Sequence, residues 1–475
     1  MTRGTLPPGP GSPRAVQTLG WVTRPYPFME RCHRRYGDVF TVKVAQEGTW
    51  IFLAHPDAVK QVFTGDPEVF HAGEGNRVLR PVVGEHSVLL LDERPHMVQR
   101  KIMLPPFHGE RMQRYGELMA DIAAEEIQTW PRATTLPVAP SMQAITLEII
   151  VRAVFGVTES ERLVPLREAL RDLLAFGTKP LAFLLVALLG PDRAARLGPA
   201  RAAREKVDRL IYDEIARRRS EPDLEQREDI LSLLLRARHE DGSAMSDEEL
   251  HDELMTLLVA GHETTATALS WALERLARHP HALERLREEV DAGEEAYLDA
   301  VVKETLRLRP VLPIVVRKLT RPASVAGHDL PAGVTVAPCI YLLHRRPDVY
   351  PDPYSFRPER FLEQPAGTYT WIPFGGGVRR CLGASFAQFE MSTVLSVLVR
   401  ELEVRAPRPE RERVSRRAIT LTPARGGEIV AHPRSRPARA PAPQTPRAVA
   451  ATQPAPAPTR PDPSPAVAGA PPEAA

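Results

Sequence analysis

One of the chain's three cysteines, Cys381, lies in the stretch PFGGGVRRCLG (Pro373 to Gly383), among glycines and arginines and just ahead of an apolar helical run. A free cysteine ordinarily behaves as a small buried hydrophobe. Cys32 and Cys339 stand isolated in the sequence and read as such core residues. Cys381 is different. A sulfur at or just before a helix N-terminus meets unpaired amides and the positive end of the helix dipole, and Arg379 and Arg380 add positive charge, so a thiolate is expected. Gly375, Gly376 and Gly377 let the backbone come close to a flat ligand, and Gly383 leaves room two residues beyond the sulfur. Such a thiolate can serve as a nucleophile or as a metal ligand.

A nucleophilic cysteine needs a base, and no histidine stands in a motif that specifies a Cys–His pair. A zinc site needs several Cys or His ligands, and the chain has no C-x-x-C. The glycines match neither G-x-G-x-x-G nor a P-loop. GHETT at Gly261 to Thr265 is similar to a zinc-protease helix, but the second histidine would fall at 266, which is alanine. One remaining option is a single thiolate ligand to an iron already held by four porphyrin nitrogens.

The elements that must position these residues are mostly helical. Residues 40–63 read as a two-stranded hairpin followed by a helix, and 110–235 as mainly helical. The clearest helix starts at Ser246, where SDEE forms a capping box with Glu249. Apolar residues recur from Leu250 until His279-Pro280 stops the run. That is roughly 32 residues, or ~48 Å, enough to cross a whole domain. Residues 297–308 form another helix and 314–343 short strands, while the Pro/Gly-rich 349–380 is irregular. A helix follows Cys381, and RAITLTPARGGEIVAH reads as a hairpin turning at Gly426-Gly427. The fold class is mainly α with a minor β part.

With 43% hydrophobic and 26% charged residues, the 475-residue chain is ordinary globular material. A net charge of +2 offers no global field for nucleic acid. So few cysteines exclude a disulfide framework and suit a reducing, cytoplasmic compartment. No signal peptide or transmembrane anchor is expected. The longest apolar run, Pro180 to Gly190, is far short of the ~20 residues a bilayer requires. It reads as a buried helix, with a lipid- or substrate-facing lid as the alternative. Residues 1–20 are expected to be a flexible Pro-rich segment, 21–433 one catalytic domain, and 434–475 a Pro/Ala-rich tail too poor in apolar surface to fold.

The loop Phe374-x-x-Gly377-x-Arg379-x-Cys381-x-Gly383 resembles the haem-binding signature of the cytochrome P-450 superfamily, the haem-thiolate monooxygenases. Other motifs follow the family's order: His96-x-x-x-Arg100, the pair Glu263-Thr264 within AGHETT, Glu304-x-x-Arg307 in KETLR, and Arg360 in FRPERF. The resemblance covers about residues 6–432. It implies the family's fold, with a long central helix over haem b and a proximal cysteine loop, and a soluble bacterial-type member. Cys381 would ligate iron and favour O–O cleavage, and Phe374 would shield the sulfur. His96, Arg100, Arg317 and Arg379 would hold the propionates. Ala260 and Gly261 would let the central helix pass close to the porphyrin. Glu263 and Thr264 would deliver protons for oxygen activation. Glu304, Arg307 and Arg360 would form a structural triad. The implied reaction inserts one atom of O2 into an apolar small molecule such as a fatty acid, terpenoid, steroid or polyketide. The uncharged stretch 310–316 and the largely apolar 87–92 and 419–422 suit such a pocket. Electrons would come from a separate donor, a ferredoxin with an NAD(P)H reductase, docking on a basic face that includes Arg100, Lys101, Arg379 and Arg380. A haem-thiolate ligand-binding or sensor protein without turnover is the alternative.

Overall fold

A computed structural model describes residues 6–107, 111–156, 160–177, 190–195 and 198–434. The long helix spans Asp247–Arg278, 32 residues, and begins as the sequence predicts. The Ser246 hydroxyl accepts from the Glu249 amide at 3.1 Å while the Ser246 amide donates to the Glu249 carboxylate at 2.7 Å. These bonds satisfy two groups at the helix start. Leu250, Leu254, Leu258 and Leu269 along it are buried, each worth about 1.5–3 kcal/mol of apolar burial. The helix packs mainly on Ala139–Phe155, and also on Gly198–Arg219 and Ala384–Glu401. It thus runs through the core instead of along the surface, which positions mid-helix residues at the centre of the molecule.

The β part is small. A five-stranded sheet has the order Val39–Val44, Gly48–Leu53, Thr335–Pro338, Arg317–Leu319, Phe70–His71. Only the pairing of Gly48–Leu53 with Thr335–Pro338 is parallel. Residues 340–343, expected within the strand region, form a short helix. The C-terminal hairpin is also not where its glycines point. Thr420–Pro423 pairs backward with Val414–Arg417, turning at Ala418-Ile419, with Ala418 at φ +51°. Beyond Gly426-Gly427, Glu428–Pro433 joins a different sheet, between Thr135–Pro137 and Leu402–Arg405. The glycine pair therefore marks a change of sheet.

The N-terminal segment, expected to be flexible, is bonded from Pro7 onward to the edge strand Val39–Val44. Pro8 O accepts from the Thr41 amide at 2.9 Å and Pro7 O from its hydroxyl at 2.6 Å. Gln17, buried in the helix Arg14–Thr23, donates to Pro10 O and Ser12 O and accepts from the Lys43 amide. Prolines stiffen this segment while their carbonyls still accept hydrogen bonds, so composition alone misled. The expected tail from 435 onward and the apolar run at 180–189 lie outside the described residues. Among the described residues, no helix is long and apolar enough to cross a membrane.

Candidate active site

Cys381 sits three residues before the helix Ala384–Glu401. Its amide donates to Phe374 O at 3.0 Å, which closes the loop, and Phe374 packs edge-on against Trp371. The side chain is exposed on one side yet lies deep in the protein. Burial raises the thiol above its ordinary value, against the Gly383 amide, Arg100 and Arg380, which pull it down. The expectation that dipole and arginines alone yield a thiolate is thus corrected: burial outweighs them. Arg379 has turned away to Asp92. A coordinating metal deprotonates a thiol outright, so this sulfur suits a metal ligand better than a free nucleophile.

The loop glycines also act differently from expectation. Gly377 has φ +64°, and a Cβ there would lie 2.2 Å from Phe63 O; one on Gly376 would meet the Phe63 ring. These glycines admit the end of helix Pro56–Phe63, so close protein packing explains them without a flat ligand. At Gly383 a Cβ would meet nothing within 4 Å, so the protein itself imposes no steric demand there.

Beside the loop lie the His96 imidazole and the guanidinium groups of Arg100, Arg317 and Arg379. His96 is 3% and Arg317 6% exposed. Burial, then Arg379, Arg100 and Arg317, push the His96 imidazole down to about 3. Arg317 is pulled down to about 10 by burial and then by Arg379, and its side chain donates to the neighbouring carbonyl, Val316 O, at 2.7 Å. Arg100 has no carboxylate partner among the described residues. Arg379 is satisfied by Val88 O at 3.1 Å and by Leu91 O and Asp92. A guanidinium as buried and as poorly compensated as that of Arg317 calls for an anion. The two propionates of haem b meet that need, so the residues present fit the group.

The central helix opens on one side here. Between the buried Leu258 and Thr265, Ala260 is exposed and Val259, Gly261, Glu263 and Thr264 are half-buried. The Thr264 hydroxyl donates to Ala260 O at 2.7 Å, the back-bond expected of a mid-helix threonine. Gly261 lies against a neighbouring helix. A Cβ on it would lie 3.0 Å from the Ile150 side chain, so its small size lets helix Ala139–Phe155 approach. Glu263 is held by Gln143, which donates to it at 3.1 Å, and by Arg417 at 3.3 Å. Burial raises its carboxyl, with Arg417 and Gln143 opposing. Sequence reading missed Asp92, Gln143 and Arg417. Asp92, four residues before His96, was open to inspection; the other two are distant in sequence and joined only by the fold.

Glu304, Arg307 and Arg360 do meet. Arg307 Nε and Nη2 donate to the two Glu304 oxygens at 2.6 and 2.8 Å, and Arg360 Nε to Glu304 at 3.2 Å. Of the four residues expected to form a basic face, Arg380 and Lys101 are exposed, while Arg379 and Arg100 are drawn inward.

A thiol in a glycine-rich loop, guanidinium groups able to bind two carboxylates, and a central helix with an opened face suit a haem-thiolate site. The cytochrome P-450 family profile matches residues 7–429, and the chain belongs to that family. Its cofactor is accordingly haem b. The chain is 46% identical over 434 residues to cytochrome P-450 135B1 of Mycobacterium tuberculosis, covering 89% of this chain and 91% of that protein. It is 39% identical over 440 residues to cytochrome P-450 137 of the same organism, covering 91% and 92%. Among solved structures it is similar to the cyanobacterial CYP120A1 with retinoic acid bound. That match has a TM-score of 0.79 and 25% identity, and covers 90% of this chain and all of the other. Family membership makes the protein a haem-dependent monooxygenase that uses O2, an organic substrate and a redox partner.

Proposed function

We propose that the protein hydroxylates an apolar small molecule with electrons from a separate ferredoxin and its NAD(P)H reductase. The observation that carries this reading is the Thr264 hydroxyl beside exposed Ala260, on the opened face of an otherwise buried helix. The surrounding segments are apolar. Leu421 N donates to Val311 O at 2.9 Å, joining 310–316 to the hairpin, and Ile419 at its tip is 39% exposed. An apolar wall with few polar groups favours a hydrophobic guest, and the retinoic acid of the cyanobacterial neighbour is a molecule of that kind. Exposed Arg380 and Lys101 suit an acidic electron donor.

In this reading, bound haem supplies the iron that activates oxygen for insertion into a C–H bond. Cys381 would hold the iron, and His96, Arg100, Arg317 and Arg379 would hold the propionates. Thr264 holds a proton at Oγ1 on the open face. Glu263, its carboxyl raised by burial, replenishes it once Arg417 and Gln143 release the carboxyl. Thr264→Ala is expected to lower product per electron consumed by about tenfold, with hydrogen peroxide rising in its place. Unchanged yield per electron would remove Thr264 from the proton path.

Optical titration of the haem protein with fatty acids, terpenes, steroids and macrolides tests the substrate class. One apolar class is expected to shift the iron's spin state and to be oxidised when donor and O2 are supplied. Binding without product would favour a ligand-binding protein, and preference for charged, polar compounds would reject an apolar pocket.

A further inference from the structure

Residues 84–92 form a strap held from two sides. Arg379 of the cysteine loop binds Val88 O, Leu91 O and Asp92. On the other side lies the first half of the central helix. The His86 amide and ring Nδ1 approach Asp252 Oδ2 at 2.8 and 3.1 Å. The Val88 amide donates to Glu253 at 2.7 Å, and the Thr256 hydroxyl to Ser87 Oγ at 2.6 Å. The strap rests directly on the carboxylate: at Gly84, φ +83°, a Cβ would lie 1.9 Å from Asp252 Oδ1.

Asp252 is tied in turn to His251, which is 2% exposed. His251 Nδ1 lies 3.0 Å from Asp252 Oδ1, and Nε2 lies 2.9 Å from Asp208 Oδ1 on helix Gly198–Arg219. Tyr212 of that helix stacks on the ring at 4.6 Å. A neutral imidazole has one N–H, and an ionised carboxylate has none. Both bonds are therefore satisfied only by an imidazolium. A continuous chain, Asp208–His251–Asp252–His86, thus joins a surface helix, the central helix and the strap.

We propose that His251 is a positioning residue for the strap. As an imidazolium it clamps residues 84–91 and helix Gly198–Arg219 to the central helix, and loss of its proton loosens the clamp and speeds ligand exchange. The link to ligand exchange rests on the reading of this strap as pocket wall; the clamp itself does not.

The surroundings fix the sign. Burial lowers the His251 value, but hydrogen bonds and charge from Asp208 and Asp252 outweigh it, so the net shift is upward. A raised value means the clamp is complete below the ordinary histidine pKa and is lost as pH rises through the folded one. Helix Gly198–Arg219 also presents Arg204, paired with Asp208 at 3.4 Å. The central helix adds Asp247, Glu248, Glu249 and Glu253, and the strap adds Glu85 and His86. Glu253 is pushed up to about 8 by burial, against the hydrogen bond from the Val88 amide. It is thus the other group that titrates near the strap in mildly alkaline solution.

Hydrogen–deuterium exchange of the haem-loaded protein tests the clamp. After correction for intrinsic rates, protection of residues 84–92 is expected to fall about tenfold between pH 6 and pH 9, as the raised His251 loses its proton. Association of 4-phenylimidazole, an apolar probe, should quicken in parallel. In Asp208→Asn the new amide can donate to a neutral ring, so protection should stay nearly level over that range. His251→Gln, which carries no charge, should also be level. A level wild-type profile overturns the proposal. So does a tenfold fall that persists in Asp208→Asn, since it assigns the effect to Glu253. A fall in protection with no change in probe association keeps the clamp and overturns the strap's place in the pocket wall.

Discussion

Cys381→Ser is expected to fold with the wild-type thermal midpoint, to lose the thiolate-ligated haem spectrum and to lose turnover by about a thousandfold or more. That is ~4 kcal/mol of barrier at 1.36 kcal/mol per tenfold. The two halves of this result have separate causes. The loop is closed by the Cys381 amide on Phe374 O, and the side chain accepts from the Gly383 amide. A serine hydroxyl keeps both arrangements and differs little in volume, so the fold should not register the change. The ligand chemistry does not survive it. Even in this buried setting the thiol remains acidic enough for a metal to deprotonate, whereas a serine hydroxyl stays protonated and donates far less electron density. Absorption spectra of the reconstituted protein, product formation and thermal melting together decide the matter. A variant that melts early would show Cys381 to be a packing residue. A variant retaining the spectrum and turnover would remove it as the iron ligand.

What the sequence revealed follows from the range over which its signals act. The central helix was legible at both ends because its start is a four-residue capping box and its stop is a proline, both local devices. The Glu304–Arg307 pair was legible because residues three apart share a helix face. Arg360 required the family pattern, since 53 residues separate it from Arg307 and only the fold brings both to Glu304. Signals failed where a glycine's purpose depends on what lies opposite. Gly377 meets Phe63 and Gly261 meets Ile150, and neither neighbour is predictable from spacing. The real hairpin turn carries Ala418 at positive φ in place of glycine, so the conspicuous Gly426-Gly427 drew the assignment away. The basic face was misread for a similar reason. Arg100 and Arg379 were given both to the propionates and to that face, but Arg379 is drawn inward by Asp92 and the strap carbonyls.

Glu304→Ala is expected to lower stability by about 3–5 kcal/mol, the cost of leaving buried charge without its partner, and to yield protein poor in haem. Glu304 and Arg307 are 0% exposed and Arg360 6%, so water cannot replace the lost carboxylate. Glu304 accepts from Arg307 twice, from Arg360 and from the Arg357 amide at 2.8 Å. Glu304 offsets one of their two positive charges, and the two arginines spend their remaining donors on carbonyls of an irregular segment. Arg307 bonds to His344 O, Pro353 O and Ser355 O, and Arg360 to Pro351 O and Asp352 O. That segment has almost no regular backbone pairing of its own and leads directly into the loop that ends at Cys381. Removing the carboxylate should therefore loosen the path into the cysteine loop as well as destabilise the helix Ala296–Leu308. Glu304→Gln keeps the shape but loses the charge and should fall between the wild type and alanine. Denaturant unfolding and the haem-to-protein absorbance ratio test both expectations. An unchanged midpoint with full haem loading in the alanine variant would show that the buried arginines are compensated by the carbonyls alone.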